Sequence, residues 1–316
     1  MKTLNYSQDD VLVIFTMDVE PVATADGKTS GPASAAEGAR RVRQYADVIG
    51  EYGYQPTFFI HPEMAELQAD LFNEMRERGA AVELHLHTVK FAHQGRKYPT
   101  ELGGLPRPLQ LEALAAARDR FTEAMGFTPA LFRPGCFSAN DNTYGVLQEL
   151  GFAGGSISIP GRTWTKRYCA WAGAMPHPHF ANNEFRQLPG NLSFVEIPLS
   201  VDRIGGLRTH PVLGFQHYVD LRPGGVYTEE EDSGRDHAVI LHNMATQLIT
   251  EKPVLKTIVI DVHNDRDFVT PNATPAKHLR TILDNLGQEF DPHNLHPVSA
   301  TMPQTVEYFK TLHPTS

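Results

Sequence analysis

The chain has 316 residues, 41% of them hydrophobic, enough to bury a full core in one large α/β barrel or in two ordinary domains. Its 28 Lys and Arg against 37 Asp and Glu leave a formal charge of -9 with no basic cluster above the background, which argues against a nucleic-acid partner. The two cysteines, Cys136 and Cys169, are too few for a disulfide framework or a thiolate zinc site, so any metal here must use His and carboxylate.

In chain order, Val11 to Thr16 reads as a short apolar strand, Ala35 to Tyr52 as a helix and Thr57 to Ile60 as a second strand, which together make a β-α-β unit. The alternation continues with a helix at Pro62 to Arg78, a strand at Ala81 to Leu86, a helix at Pro108 to Met125 and a strand near Ala130 to Phe132. A helix near Thr143 to Leu150 follows, then strands near Phe152 to Ser156, Phe194 to Pro198 and Lys256 to Val262. This rhythm predicts a parallel sheet, open or closed, with the functional site at the carboxyl ends of its strands.

Two stretches break the rhythm: 160–190, loaded with Pro, Gly, His and Trp, and 205–236, which holds the acidic run Glu229, Glu230, Glu231, Asp232. Both read as long loops of one domain covering 1–316, since neither shows the composition change of a boundary and no repeat is present. No apolar run is long enough to span a membrane, and Met1 to Asp10 lacks a signal-peptide pattern, so the expectation is a cytoplasmic chain. Nothing in the residues indicates an oligomeric state.

Fifteen histidines suit a site that uses imidazole, and the strand ends show where one would lie. The first strand ends Asp18-Val19-Glu20, two carboxylates at i and i+2 that point to one side, a costly pair unless a cation lies beside them. A third strand ends Glu83-Leu84-His85-Leu86-His87-Thr88, again with period two, so His85 and His87 share a face; imidazole beside carboxylate suits zinc or a related metal. Arg133, just before Pro134-Gly135, can orient a carboxylate, and His263 in Asp261-Val262-His263-Asn264 sits where a general acid can act. The bland reading of each motif alone is an exposed acidic loop or a hydrogen-bonded core histidine; weight comes from their company.

Thr16-Met17-Asp18-Val19-Glu20, Pro56-Thr57-Phe58-Phe59-Ile60, Glu83 through Thr88, Phe132-Arg133-Pro134-Gly135 and Val262-His263 fall in the order and spacing of the polysaccharide deacetylase family, the NodB-homology group with carbohydrate esterase family 4 and its relatives. The resemblance spans about residues 11–264. It implies a distorted (β/α) barrel of about seven parallel strands, a divalent metal, most simply zinc, and hydrolysis of an N-acetyl or similar amide. By that resemblance Asp18 is the base, Glu20 a displaced metal ligand, Arg133 the residue that holds Asp18, and His263 the general acid. His87 and Thr88 match the start of the family's His-Ser/Thr-x-x-His motif, but Phe91 stands where its second histidine belongs. Either His85 or His93 can supply the missing ligand; His85 is preferred because a strand fixes geometry better than a loop.

A backbone N–H near Gly135 or Cys136 is the expected oxyanion donor. His61 and Glu196 stand at strand ends as further candidates, with a helix start and core packing as their alternatives. Trp164, Trp171, His177 and His179 lie where a sugar-binding rim would form, and ordinary loop packing explains them as well. Three functions stay open: deacetylation of an N-acetylated sugar in surface-glycan assembly, on a nucleotide-linked, lipid-linked or small soluble substrate; hydrolysis of a non-sugar amide of ureide or formamide type; and a non-catalytic carbohydrate- or metal-binding barrel.

Overall fold

Strand β1 (Asp10–Val19) is buried at every position but its first, as expected of a parallel strand covered on both faces. In the computed structural model, which describes residues 6–23, 30–224 and 235–313, β1 is the centre of a sheet built by successive crossovers. Helix α1 (Ala35–Gly50) starts where Ser34 caps the Glu37 amide, and it leads to β2 (Pro56–Ile60). The expected helix at Pro62 to Arg78 is two helices, α2 (Pro62–Leu67) and α3 (Ala69–Glu77), followed by β3 (Ala81–Leu86). The break falls at Gln68, whose backbone leaves the helical region (φ -134, ψ 30) while its side chain donates to the Ala35 carbonyl at 2.7 Å. No Gly or Pro signals that break, so the sequence reading missed it.

Helix α4 (Arg107–Met125) ends on Gly126 at φ 74, the left-handed cap that glycine supplies without strain. Next come β4 (Leu131–Pro134), α5 (Thr143–Glu149) and the two-residue strands β5 (Gly154–Gly155), β6 (His179–Phe180) and β7 (Val195–Glu196). The last two expected strands of this half are therefore much shorter than their apolar runs suggest. Helix α6 (His237–Glu251), β8 (Thr257–His263), α7 (Thr274–Phe290), β9 (His296–Ser299) and α8 (Met302–Leu312) complete the chain, and of these only β8 was expected.

The nine strands order as β6-β7-β5-β4-β3-β2-β1-β8, with β9 on the first half of β1. Only β6 runs antiparallel, so the result is a curled, parallel-rich sheet, a distorted (β/α) barrel of the NodB type. Ser200, just past β7, links that strand to β8: its amide donates to the Val259 carbonyl at 3.3 Å and its hydroxyl accepts from the Val259 amide at 2.9 Å. The loop stretches carry small antiparallel pairings of their own, among them Thr163–Trp164 with Cys169–Ala170 and Val201–Asp202 with Val219–Asp220. The acidic run from Glu229 to Asp232 lies outside the described residues. Among the described residues no helix is long and apolar enough to cross a membrane.

Candidate active site

Register sets the site. Asp18 on β1 is level with His263 on β8 and with Phe59 on β2, and His85 on β3 is level with Arg133 on β4. Alternation along β1 turns Thr16, Asp18 and Glu20 to one face, and the same period turns His85 and His87 toward them. All six expected site residues therefore meet at the carboxyl ends of the strands, as an α/β sheet requires.

Arg133 is fully buried, and a single nitrogen, Nη1, donates to Thr16 Oγ1 at 2.8 Å, Asp18 Oδ1 at 3.0 Å and Asp261 Oδ1 at 2.9 Å. The guanidinium lies 4.4 Å over the Phe59 ring, a cation–π contact that fixes its plane. Burial would raise the Asp18 carboxyl, but His85, Arg133 and His263 outweigh it and hold Asp18 below the ordinary carboxylate value. Burial and the Asp18 charge push Asp261 the other way, and Arg222 Nη2 supports its second oxygen at 2.8 Å. Burial lowers His263 below the ordinary imidazole value, against the pull of Asp261. The titrating atoms of Asp18, Asp261 and His263 lie within 4.8 Å of one another.

Glu20, His85 and His87 form a second buried group whose ligand atoms also lie within 4.8 Å. Glu20 Oε1 is 2.8 Å from His87 Nε2 and 3.4 Å from His85 Nε2. Asn264 clamps the Glu20 backbone from both sides, accepting from its amide at 2.9 Å and donating to its carbonyl at 3.1 Å. Both imidazoles have Nδ1 facing an acceptor, the Arg133 carbonyl at 3.0 Å for His85 and Glu101 Oε1 at 2.9 Å for His87. Those contacts place the proton on Nδ1 and leave Nε2 as a donor atom, the arrangement in which histidine ligates metals. The three side chains fit a divalent ion. Burial would lower His87, yet without a metal the flanking carboxylates Glu20 and Glu101 hold it up at about 9, so its Nε2 gives up a proton when it ligates. Burial would likewise raise Glu20, which His87 and Lys90 instead hold well below the usual range.

His93 lies on a surface hairpin, outside this group, and Phe91 is a core residue stacked on Tyr98 at 6.3 Å. His61 caps α2 through Nδ1. Glu196 is fully buried and accepts from the amides of Ile157 and Ser158, which pins the turn after β5 instead of lining the cleft. Trp171 is a core residue whose indole donates to the Phe137 carbonyl, whereas Trp164 lines the cleft and stacks on Phe215 at 4.9 Å. His177 pairs with Glu251, and His179 bonds the His177 carbonyl. Cys136 and Phe137 both take positive φ, 55° and 52°, a strained turn at the cleft floor of the kind found at functional sites. Burial raises the Cys136 thiol well above its usual value, which disfavours the thiolate that a nucleophile needs.

Sequence reasoning missed Lys90, Glu101, Asn264 and Arg222 and gave Asp261 no role. Asp261 was the one with a signal, since it stands two residues before His263 on the same strand face. Lys90 Nζ donates to Glu20 Oε2 at 2.9 Å, and nothing in the spacing of motifs announces that contact.

The fold is a distorted (β/α) barrel with its candidate site at the carboxyl ends of the strands. Residues 13–155 match the polysaccharide deacetylase family model, so the resemblance carried by the motifs is borne out over that stretch, and the match supports hydrolytic deacetylase chemistry. No curated protein sequence gives a significant match. Solved structures of similar fold include a putative polysaccharide deacetylase from Mycobacterium smegmatis, at 17% identity and TM-score 0.60 over 99% of this chain and 94% of that one. Another is Puue allantoinase, at 14% and 0.59 over 97% and 92%. A third is a probable polysaccharide deacetylase from Pseudomonas aeruginosa PAO1, at 14% and 0.57 over 97% and 93%.

Proposed function

We propose that the chain is a zinc-dependent hydrolase that removes the acetyl group from an N-acetylated sugar in surface-glycan assembly, acting in the cytoplasm on a nucleotide-linked, lipid-linked or small soluble substrate. The observation that supports this most is the meeting of two groups at the end of β1: the Glu20, His85, His87 donor set, and the Asp18, Arg133, His263 set beside it. Glu20, His85 and His87 would hold the metal, which supplies Lewis acidity toward water and the amide carbonyl.

The chain's own residues account for the proton transfers. Asp18, ionised and fixed by Arg133, takes a proton from the attacking water. Arg133 Nη1 is shared with Asp261, so the guanidinium cannot swing away with Asp18, and the base keeps its aim. Negative charge building on the tetrahedral adduct raises the proton affinity of His263; the proton that Asp18 took from water passes to it and from it to the leaving nitrogen as the C–N bond breaks, which leaves Asp18 ionised and His263 neutral again. A backbone N–H near Gly135 or Cys136, at the start of the strained turn, stands as oxyanion donor.

Acetate release from N-acetylated amino sugars and their nucleotide conjugates by the purified chain, with and without a chelator, tests this reading. Zinc-dependent release supports it, and no release from any of them removes it. The allantoinase among the structures of similar fold makes a cyclic ureide the second substrate class for the same assay.

A further inference from the structure

We propose that Lys90 is a built-in competitor for the divalent cation at Glu20, so that the chain holds its metal more weakly and exchanges it more readily than a three-donor buried site otherwise would. This rests on the reading of Glu20, His85 and His87 as the metal donors.

The two oxygens of Glu20 face different cations. Oε1 faces the Nε2 atoms of His87 and His85, the side a metal would take. Oε2 accepts from the Lys90 ammonium at 2.9 Å. That ammonium is not a surface charge brushing past. Its side chain is 8% exposed, and Nζ also donates to the Ser30 carbonyl at 2.9 Å.

The backbone leaves it little choice. After His87 the chain makes one tight turn, Thr88–Lys90, with the Lys90 amide bonded to the His87 carbonyl at 3.0 Å, so Lys90 returns to the side from which His87 projects. The next residue, Phe91, is buried against Tyr98 and His61 and anchors the turn from behind. Withdrawing Lys90 from Glu20 means breaking its bonds to the Glu20 carboxylate and to the Ser30 carbonyl and hydroxyl.

Two effects then act against a metal. Part of the carboxylate's charge is already neutralised by the ammonium, and a dication on Oε1 sits one carboxylate's width from a like charge where water screens little. Glu101 behind His87 returns one negative charge, but at the far nitrogen of the ring, more distant from the ion than Lys90 is from Glu20.

The experiment measures zinc affinity of the full chain, stripped with chelator, by competition with a chromophoric chelator, for wild type, Lys90→Met and Lys90→Arg. Lys90→Met, which keeps length and loses charge, should bind zinc at least about tenfold more tightly, while Lys90→Arg should stay within about threefold of wild type. A purely structural strap would give the opposite sign, because its loss loosens Glu20 and weakens zinc. If Lys90→Met binds zinc no more tightly than wild type while melting at the same temperature, the proposal is overturned and the metal reading stands. If wild type and both variants bind no zinc, both fall together. Should Lys90→Met melt early, Lys90→Gln is read by the same criterion.

Discussion

Gly135 lies against the face of the His87 ring: a Cβ on it would fall well inside van der Waals contact of Nδ1, Cγ and Cε1. The ring cannot retreat freely, because Nδ1 is tied to Glu101. Gly135→Ala should therefore displace the imidazole, at a cost of about 1–3 kcal/mol in stability and about 10–100-fold in zinc affinity. Urea melts and zinc titration read the two effects. An unchanged zinc affinity would show that the ring's position does not depend on this contact.

Glu101→Gln removes charge from behind His87 while keeping an acceptor for Nδ1–H. Zinc affinity should fall about tenfold with little change in melting temperature. A loss of stability as large as the loss of affinity would make Glu101 a packing residue instead.

Asp18→Asn should keep its metal and lose about 10²–10⁴ in kcat, since Asn preserves shape and the Arg133 contact but accepts no proton. Glu20→Gln should lose metal first. The roles of base and ligand are exchanged if metal content and residual rate come out the other way round in these two variants.

Glu83 gives a pH-dependent stability away from the chemistry. It is almost wholly buried, and burial holds its carboxyl at about 8 although the amides of Ala130 and Leu131 donate to it. A folded-state value above the unfolded one means that this group's stability is complete below about pH 4.5 and is lost as pH rises through about 8. Glu83→Gln keeps the acceptor and should gain on wild type by on the order of 3 kcal/mol between pH 5 and pH 9 in paired urea melts. Parallel curves at both pH values would rule out the titration.

The parts of this arrangement that could be read from the sequence are those a strand's period of two decides. Asp18 with Glu20 and His85 with His87 share faces whatever the rest of the fold does, and His85 could be preferred to His93 on that ground alone. Arg133 reaches Asp18 across 115 positions, and only the family's ordered motifs suggested it. Lys90 was illegible because its reach depends on one tight turn and on Phe91 packing behind it. Helix α6 falls in the unassigned stretch between the 205–236 loop and β8, and α7 and α8 lie beyond His263, where the ordered motifs end. Strand β9 gave no signal because it covers only the first half of β1, beside β2 on the same edge, a pairing that depends on the finished sheet.

The seam at Ser200 bears on how the molecule breathes. A ladder between two strands is a row of bonds that must open together, whereas one residue bridging β7 and β8 is a single latch. Slow amide exchange should therefore be shared by β1, β2, β3 and β4, which carry the base, the metal donors and the guanidinium. The outer side of β8 should exchange sooner. His263 rides on that strand, so the proton donor sits on the more yielding edge of an otherwise rigid site, and a substrate too bulky for the resting cleft would find its room there.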